Sequence, residues 1–209
     1  MDEATEWRWR ELSEKVISGM KEWRDQHPKA TLREIEEALD ERLGKMRARM
    51  LQDTALASPE ADWSQVPKGE RPTCPHCGSA LVSRGKKERR IQTQGGQDLV
   101  LKRSHGICPA CGAGFFPLDE QLGLVAGALT PRSQEQLVHL AVWMPFKRAV
   151  NMLGRLTGVH ISEATARRYS YQVGAAQEVL QQAAPAQADQ PTTAVAKEGS
   201  LDYPGQNLR

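Results

Sequence analysis

Four cysteines carry the clearest chemistry in this chain. They fall as Cys74-Pro75-His76-Cys77 and Cys108-Pro109-Ala110-Cys111, and each pair is followed by a glycine, Gly78 or Gly112. Two C-x-x-C pairs separated by thirty residues have the spacing of one four-thiolate zinc site. Tetrahedral Zn2+ takes four soft sulfurs at about 2.3 Å. Proline stiffens each knuckle, and glycine lets the backbone curl past the metal so that amides face the sulfurs. The same residues also admit two disulfides, or four unrelated buried thiols. His76 lies inside the first knuckle. With four thiolates at hand it is read as a bystander.

The elements that must position these cysteines follow from pattern and punctuation. The chain has 209 residues, 39% hydrophobic and only 5% aromatic, which argues against one large core. Leu12, Val16, Met20 and Trp23 form one apolar stripe of a first helix, which His27-Pro28 ends. Thr31 with Glu34 makes a capping box for a second helix carrying Leu32, Ile35, Leu39, Leu43, Met46 and Met50. Residues 1–52 thus predict a helical hairpin, marginal alone, that docks or forms a homo-oligomer. Trp7, Trp9 and Trp23 are read as packing residues. Residues 53–72 hold Pro59, Pro67, Gly69 and Pro72 without periodicity and read as a linker.

Residues 73–117 read as a zinc ribbon on a small antiparallel sheet. Strands are expected at 80–84, 91–94 and 97–101, with Gly95-Gly96 as a two-residue hairpin turn. So little apolar material predicts that metal supplies the stability. The apolar run Gly114-Phe115-Phe116-Pro117-Leu118 is expected to seal the ribbon against the next domain. Residues 118–180 predict a helical bundle. Thr130-Pro131 opens a helix with Leu137, Leu140, Ala141 and Met144 inside. Pro145 interrupts it, a second helix runs over 146–156, Gly158 caps it, and Ser162 opens a third with Ala166, Tyr169 and Val173 inward. Helix, glycine turn, serine cap and an arginine-bearing helix fit a helix-turn-helix; an ordinary three-helix bundle is the alternative. A disordered tail is expected over 181–209. The fold class is therefore α+β, mostly α.

Charge points to a partner. The whole chain is nearly balanced at +2, but residues 73–117 carry seven basic side chains, Arg84, Lys86, Lys87, Arg89, Arg90, Lys102 and Arg103, against Glu88 and Asp98. Such a module suits a polyanion, although a solvated basic face would look the same. The start of the chain is charged and tryptophan-rich, with no signal peptide or transmembrane run, so a cytoplasmic, nucleoid-associated protein is expected. No membrane contact and no small-molecule substrate are expected.

Several stretches together resemble one family, the DDE-type transposases of bacterial insertion sequences of the Kra group. They are Glu22-Trp23-Arg24, His27-Pro28-Lys29-Ala30-Thr31-Leu32, Glu34-Ile35-Glu36, both cysteine knuckles with their glycines, Phe116-Pro117-Leu118-Asp119, Leu156-Thr157-Gly158-Val159, and Ser162 with Thr165. In family order they span roughly residues 7–180. The resemblance implies the amino-terminal DNA-recognition portion of a transposase. The RNase H-like core of such enzymes, where three carboxylates hold two metals, would come after it. Glu178, Asp189, Glu198 and Asp202 follow no apolar strand-like run, so no catalytic residue carries over and the chain alone is not expected to be an enzyme. Three functions compete: recognition of element ends in double-stranded DNA, a stand-alone zinc-ribbon and helix-turn-helix regulator, and a zinc-stapled protein-interaction scaffold. In the first two, Arg167, Arg168, Thr165 and Tyr171 would meet bases, while Lys86, Lys87, Arg89, Arg90, Lys102 and Arg103 would meet phosphates.

Overall fold

The computed structural model describes residues 2–183. Helix α1 spans Glu3–Gln26 and α2 spans Leu32–Leu56. Asp2 caps α1 by accepting the Thr5 amide at 2.9 Å. Thr31 and Glu34 close both halves of the capping box on α2, the Thr31 amide donating to Glu34 at 2.7 Å. The two helices form an antiparallel hairpin. At its open end Asp53 accepts from the indole of Trp9 (3.1 Å) and pairs with Arg8 (3.4 Å) and Arg49 (3.1 Å). No residue of α1 is buried.

The sheet is antiparallel and three-stranded, in the order β1 (Val82–Gln92), β2 (Asp98–Ile107), β3 (Gly114–Phe115). The first two expected strands are one. The charged run 84–90 hid the continuity, because β1 shows most of its side chains to solvent and lacks a regular apolar alternation. A bulge between Ser83 and Lys86, with Gly85 at φ +84°, bends β1 there. The hairpin loop is one residue longer than predicted. Thr93 N–H donates to Gln97 O (2.8 Å) and Gly96 N–H to Thr93 O (3.1 Å), enclosing Gln94, Gly95 and Gly96. Gly95 and Gly96 both take the positive φ their residue type permits, +88° and +68°.

Helix α2 lies on this sheet, packing Ala48 over Ile91, Leu99 and Leu101. Its Gln52 accepts the Val100 amide at 2.8 Å, which satisfies the outer edge of β2. Residues 53–72 are no free linker. Helix α2 continues to Leu56, two short 3-10 turns come next, and Trp63 is buried among Cys74, Leu81 and Cys108. The apolar part of one buried indole contributes about 2–3 kcal/mol, offset in part by its ring N–H, which meets no acceptor among the described residues; periodicity cannot flag such an anchor.

A short helix α3, Pro117–Gln121, fills the place expected for a sealing loop and buries Leu118. Then α4 (Pro131–Trp143), α5 (Phe146–Thr157) and α6 (Glu163–Ala183) form a three-helix bundle around Leu129, Leu137, Leu153, Val159, Ala166 and Tyr169. Gly158 terminates α5 in the left-handed region at φ +69°, and Ser162 Oγ accepts the Thr165 amide at 3.2 Å to open α6. Val173 is exposed rather than inward, because α6 has passed the last of its bundle neighbours after Tyr169. Helix α6 runs to Ala183, and the rest of the tail expected over 181–209 lies outside the described residues. Among the described residues, no helix is long and apolar enough to cross a membrane.

Bundle and sheet meet at backbone distance. Gln92 N–H donates to Ala128 O (2.7 Å), Thr130 N–H to Gln92 O (3.0 Å) and Gly95 N–H to Thr157 O (2.7 Å). A Cβ on Gly96 would lie 2.5 Å from Gly158 O, so only glycine permits this approach. Asp119 forms a second joint. Its carboxylate takes a bidentate pair from Arg103 (2.7 Å each) and one bond from Arg89 (2.8 Å). Arg89 also donates to Gly127 O at 3.0 Å, and Arg103 lies over the Phe116 ring at 3.9 Å. Burial pushes the Asp119 pKa up, but Arg103 and Arg89 outweigh it and hold the carboxyl below its ordinary value.

Removing one partner of such a cluster strands buried charge. We expect Asp119→Asn to cost about 3 kcal/mol in urea unfolding at neutral pH. A folded value below the unfolded value of about 3.9 makes the contribution full above about pH 4, and it is lost as pH falls through the folded value. The gap between wild type and variant should therefore close in acid.

Candidate metal centre and basic surfaces

The two knuckles are built alike. In the first, Cys74 N–H donates to Ser79 O (2.8 Å) and Gly78 N–H to Cys74 O (2.8 Å). In the second, Cys108 N–H donates to Ala113 O (2.9 Å) and Gly112 N–H to Cys108 O (2.9 Å). Gly78 and Gly112 sit at φ +71° and +74°, so both turns need the left-handed region at the same step. Strand β2 delivers the second knuckle directly, ending one residue before Cys108. Strand β3 then returns, pairing Gly114 with Ile107 and Phe115 with Gly106. The first knuckle is closed by a bridge between Thr73 and Ala80.

These turns bring all four sulfurs within 4.8 Å of one another. Cys77 and Cys108 are 3.4 Å apart, Cys74 and Cys111 3.7 Å, and all four thiols are free. Sulfurs at the corners of a tetrahedron around an ion at about 2.3 Å lie about 3.8 Å apart. The cluster therefore fits one tetrahedral metal ion. Cys74 and Cys108 are buried, while Cys77 and Cys111 face solvent.

Charge makes the same case. The Ser79 hydroxyl and amide, with help from Cys108, pull the Cys77 thiol down to about 6. At Cys111 the Ala113 amide favours the thiolate, but Cys108, desolvation and Cys74 outweigh it and push the thiol up to about 11. Cys77 gives up its proton easily and Cys111 resists, because like charges crowd together. A divalent cation removes that conflict. His76 is not in the cluster; its ring tilts against Phe115 at 5.3 Å.

The basic residues singled out by composition separate into two groups. Arg103 is internal, its side chain 5% exposed, and Arg89 is clamped beside it on Asp119. Neither is free for phosphate, which corrects the sequence expectation. Lys86 pairs with Asp62 at 2.6 Å, and with Ser64 it holds the Asp62 carboxyl down to about 2. Arg90 pairs with Glu88 at 3.0 Å on the surface. Arg84, Lys87 and Lys102 are exposed and take part in no ion pair among the described residues. Asp62 and Asp119 stand just outside the 73–117 window, so its charge excess overstated the free charge. On α6, Arg167, Arg168 and Tyr171 are exposed; Arg167 reaches Glu163 at 3.4 Å. Thr165 is half-buried, with its hydroxyl on Ser162 at 2.9 Å, so it serves the helix cap.

Sequence reasoning missed Trp63 and the role of Asp119 as the partner of Arg89 and Arg103. A lone tryptophan beside proline-rich turns, and the acid pair Asp119-Glu120 directly after the apolar run 114–118, were the local signals there. Comparison of the chain with family models, with curated proteins and with solved structures finds no match in any of the three.

The thiolate cluster has a spectroscopic test. Loading the reduced protein with Co2+ should give the intense visible bands of a tetrahedral thiolate complex, saturating at one ion per chain. Cys108→Ser should lose them. Saturation at any other ratio, or a variant with unchanged bands, would contradict the assignment.

Proposed function

We propose that this chain is a zinc-ribbon DNA-binding module, the recognition portion of an insertion-sequence transposase. Four clustered thiolates suit Zn2+, a borderline-soft cation that takes four sulfurs in tetrahedral geometry. The zinc is structural: it holds the knuckle end of the β1–β2 ribbon. The turn 158–162 and α6 act with α5 as a helix-turn-helix, and α6 is the reading helix.

The observation that carries this reading is the joint between ribbon tip and α5–α6 turn. Gly95 and Gly158 meet there through backbone, and His160 N–H donates to Gln92 Oε1 at 3.0 Å. That joint supports a fixed spacing between an exposed basic ribbon and the exposed arginines of α6. A scaffold that only presents a protein surface has no need of a basic ribbon locked to an arginine-bearing helix. The resemblance of the knuckles, the Phe116-Pro117-Leu118-Asp119 stretch and the Leu156-Thr157-Gly158-Val159 turn to Kra-group transposases supports element ends as the DNA. Catalysis is assigned to no residue of this chain.

The two surfaces should fail differently. Alanine at Lys87, Arg90 and Lys102 should weaken binding to all duplexes alike and lower the salt slope by about one unit for each phosphate no longer neutralised. Arg168→Ala should cost about 1–3 kcal/mol, chiefly of preference for element ends over random DNA. Titrations on both duplexes at several salt concentrations check this. A variant lacking Arg168 with full preference, beside a ribbon variant that has lost it, would make the ribbon the reader.

A further inference from the structure

We infer that α2 pairs with α2 of a second copy of this chain, the two helices running antiparallel. The 25 residues of α2 serve two neighbours already. Ala48, Gln52 and Arg47 go to the sheet and its hairpin loop. Arg42, beside Gly19, and Asp53 go to α1. A third arc is left over. At about 100° per residue, Leu32, Leu39, Leu43 and Met50 fall within about 40° of one another. Leu32, Leu39 and Leu43 are exposed by 71%, 37% and 43%, although all sit at apolar positions of a regular stripe. The stripe runs into a cleft of about 990 Å³ whose walls include Trp9, Met50, Leu51 and the 66%-exposed Leu156. Isolated exposed leucines need no explanation, but a stripe leading into a cleft with an apolar floor and a charged rim that includes Asp40 and Arg47 marks an interface.

The charges identify the occupant. Residues 33–41 carry Glu34, Glu36, Glu37, Asp40 and Glu41 against Arg33 alone. Residues 42–49 carry Arg42, Lys45, Arg47 and Arg49 and no acid. Laid parallel, two such helices set like charge on like. Laid antiparallel, each acidic half covers a basic half, and a two-fold axis near Leu43 makes the surface self-complementary. Helical geometry puts Glu36, Asp40 and Arg47 along one flank of the stripe, the acids before Leu43 and the base after it. The axis therefore carries Glu36 and Asp40 of each copy toward Arg47 of the other. Arg47 is anchored for this by its bonds to Thr93 Oγ1 (3.0 Å) and Gln94 O (3.3 Å). Any other helix would need this same apolar spacing with the opposite order of charge, which the second copy already has.

The test is the solution mass of the metal-loaded full chain, read by light scattering and sedimentation over a range of concentrations. The wild type should reach twice the 23.2 kDa of one chain. Leu39→Lys with Leu43→Lys should return it to the single mass with an unchanged circular dichroism spectrum, since both leucines are exposed. Glu36→Lys with Asp40→Lys in one chain, and Arg47→Glu in another, should each be monomeric alone and recover the doubled mass when mixed. A wild type that keeps the single mass would overturn the pairing, including the case in which the stripe serves some other helix. So would a leucine variant that still doubles, or a mixture of charge variants that does not. None of these readouts involves DNA, so they stand or fall apart from the binding function.

Discussion

Four sulfurs held within 4.8 Å of one another constrain everything at one end of the sheet. The second knuckle turns the chain back on β2, and only that reversal lets Gly114 and Phe115 pair as β3. The local core beneath is small: Trp63 and Leu81, with Val66 and Phe115 at its margin, packed on the two buried cysteines themselves. It is tight as well, since a Cβ on Gly106 would lie 2.9 Å from the Trp63 ring. Because the four candidate ligands are also packing residues or their neighbours, any metal they hold is coupled to this core. Unscreened, the thiols oppose one another; bound to a cation, they close the loop between the knuckles and fix the indole at once.

The opposite end of the same ribbon is held by close backbone approach. There the tip meets the α5–α6 turn at a glycine-only distance, and Gln92 bonds the segment that leads into α4. Between the two ends, Arg89 and Arg103 converge on Asp119 and tie both long strands to α3. The ribbon thus works as a strut between the knuckles and the bundle. In the function we propose, that strut sets the distance between phosphate-binding and base-reading surfaces.

Features encoded within a few residues were legible in the sequence. The cysteine spacing, the Thr31–Glu34 capping box, the Gly158 stop and the Ser162 start each need only their neighbours, and each stands in the structure as the local pattern implies. The mixed α+β class with a small antiparallel sheet followed from these. Features that depend on distant partners were not legible. The seven basic residues of the ribbon look alike in sequence, yet Arg103 ends in a buried pair and Lys102 beside it in solvent. Strand alternation separates them by face, and only Asp119 decides which face is inside. Trp63 reads as linker because one indole among prolines has no period. Val173 keeps the helical period of Ala166 and Tyr169 but outruns the helices that would have covered it.

Amide hydrogen exchange on the protein with its metal present and then stripped by a chelator, with elemental analysis of both samples, tests the clamp most directly. Removing the metal should erase protection in the strand segments nearest the knuckles, around 80–84 and 104–115, and free the Trp63 indole. Protection in α4, α5 and the first turns of α6 should survive, since that bundle has its own core. Equal protection around the knuckles in both samples would show that the sulfurs are packed side chains and that no metal holds the ribbon.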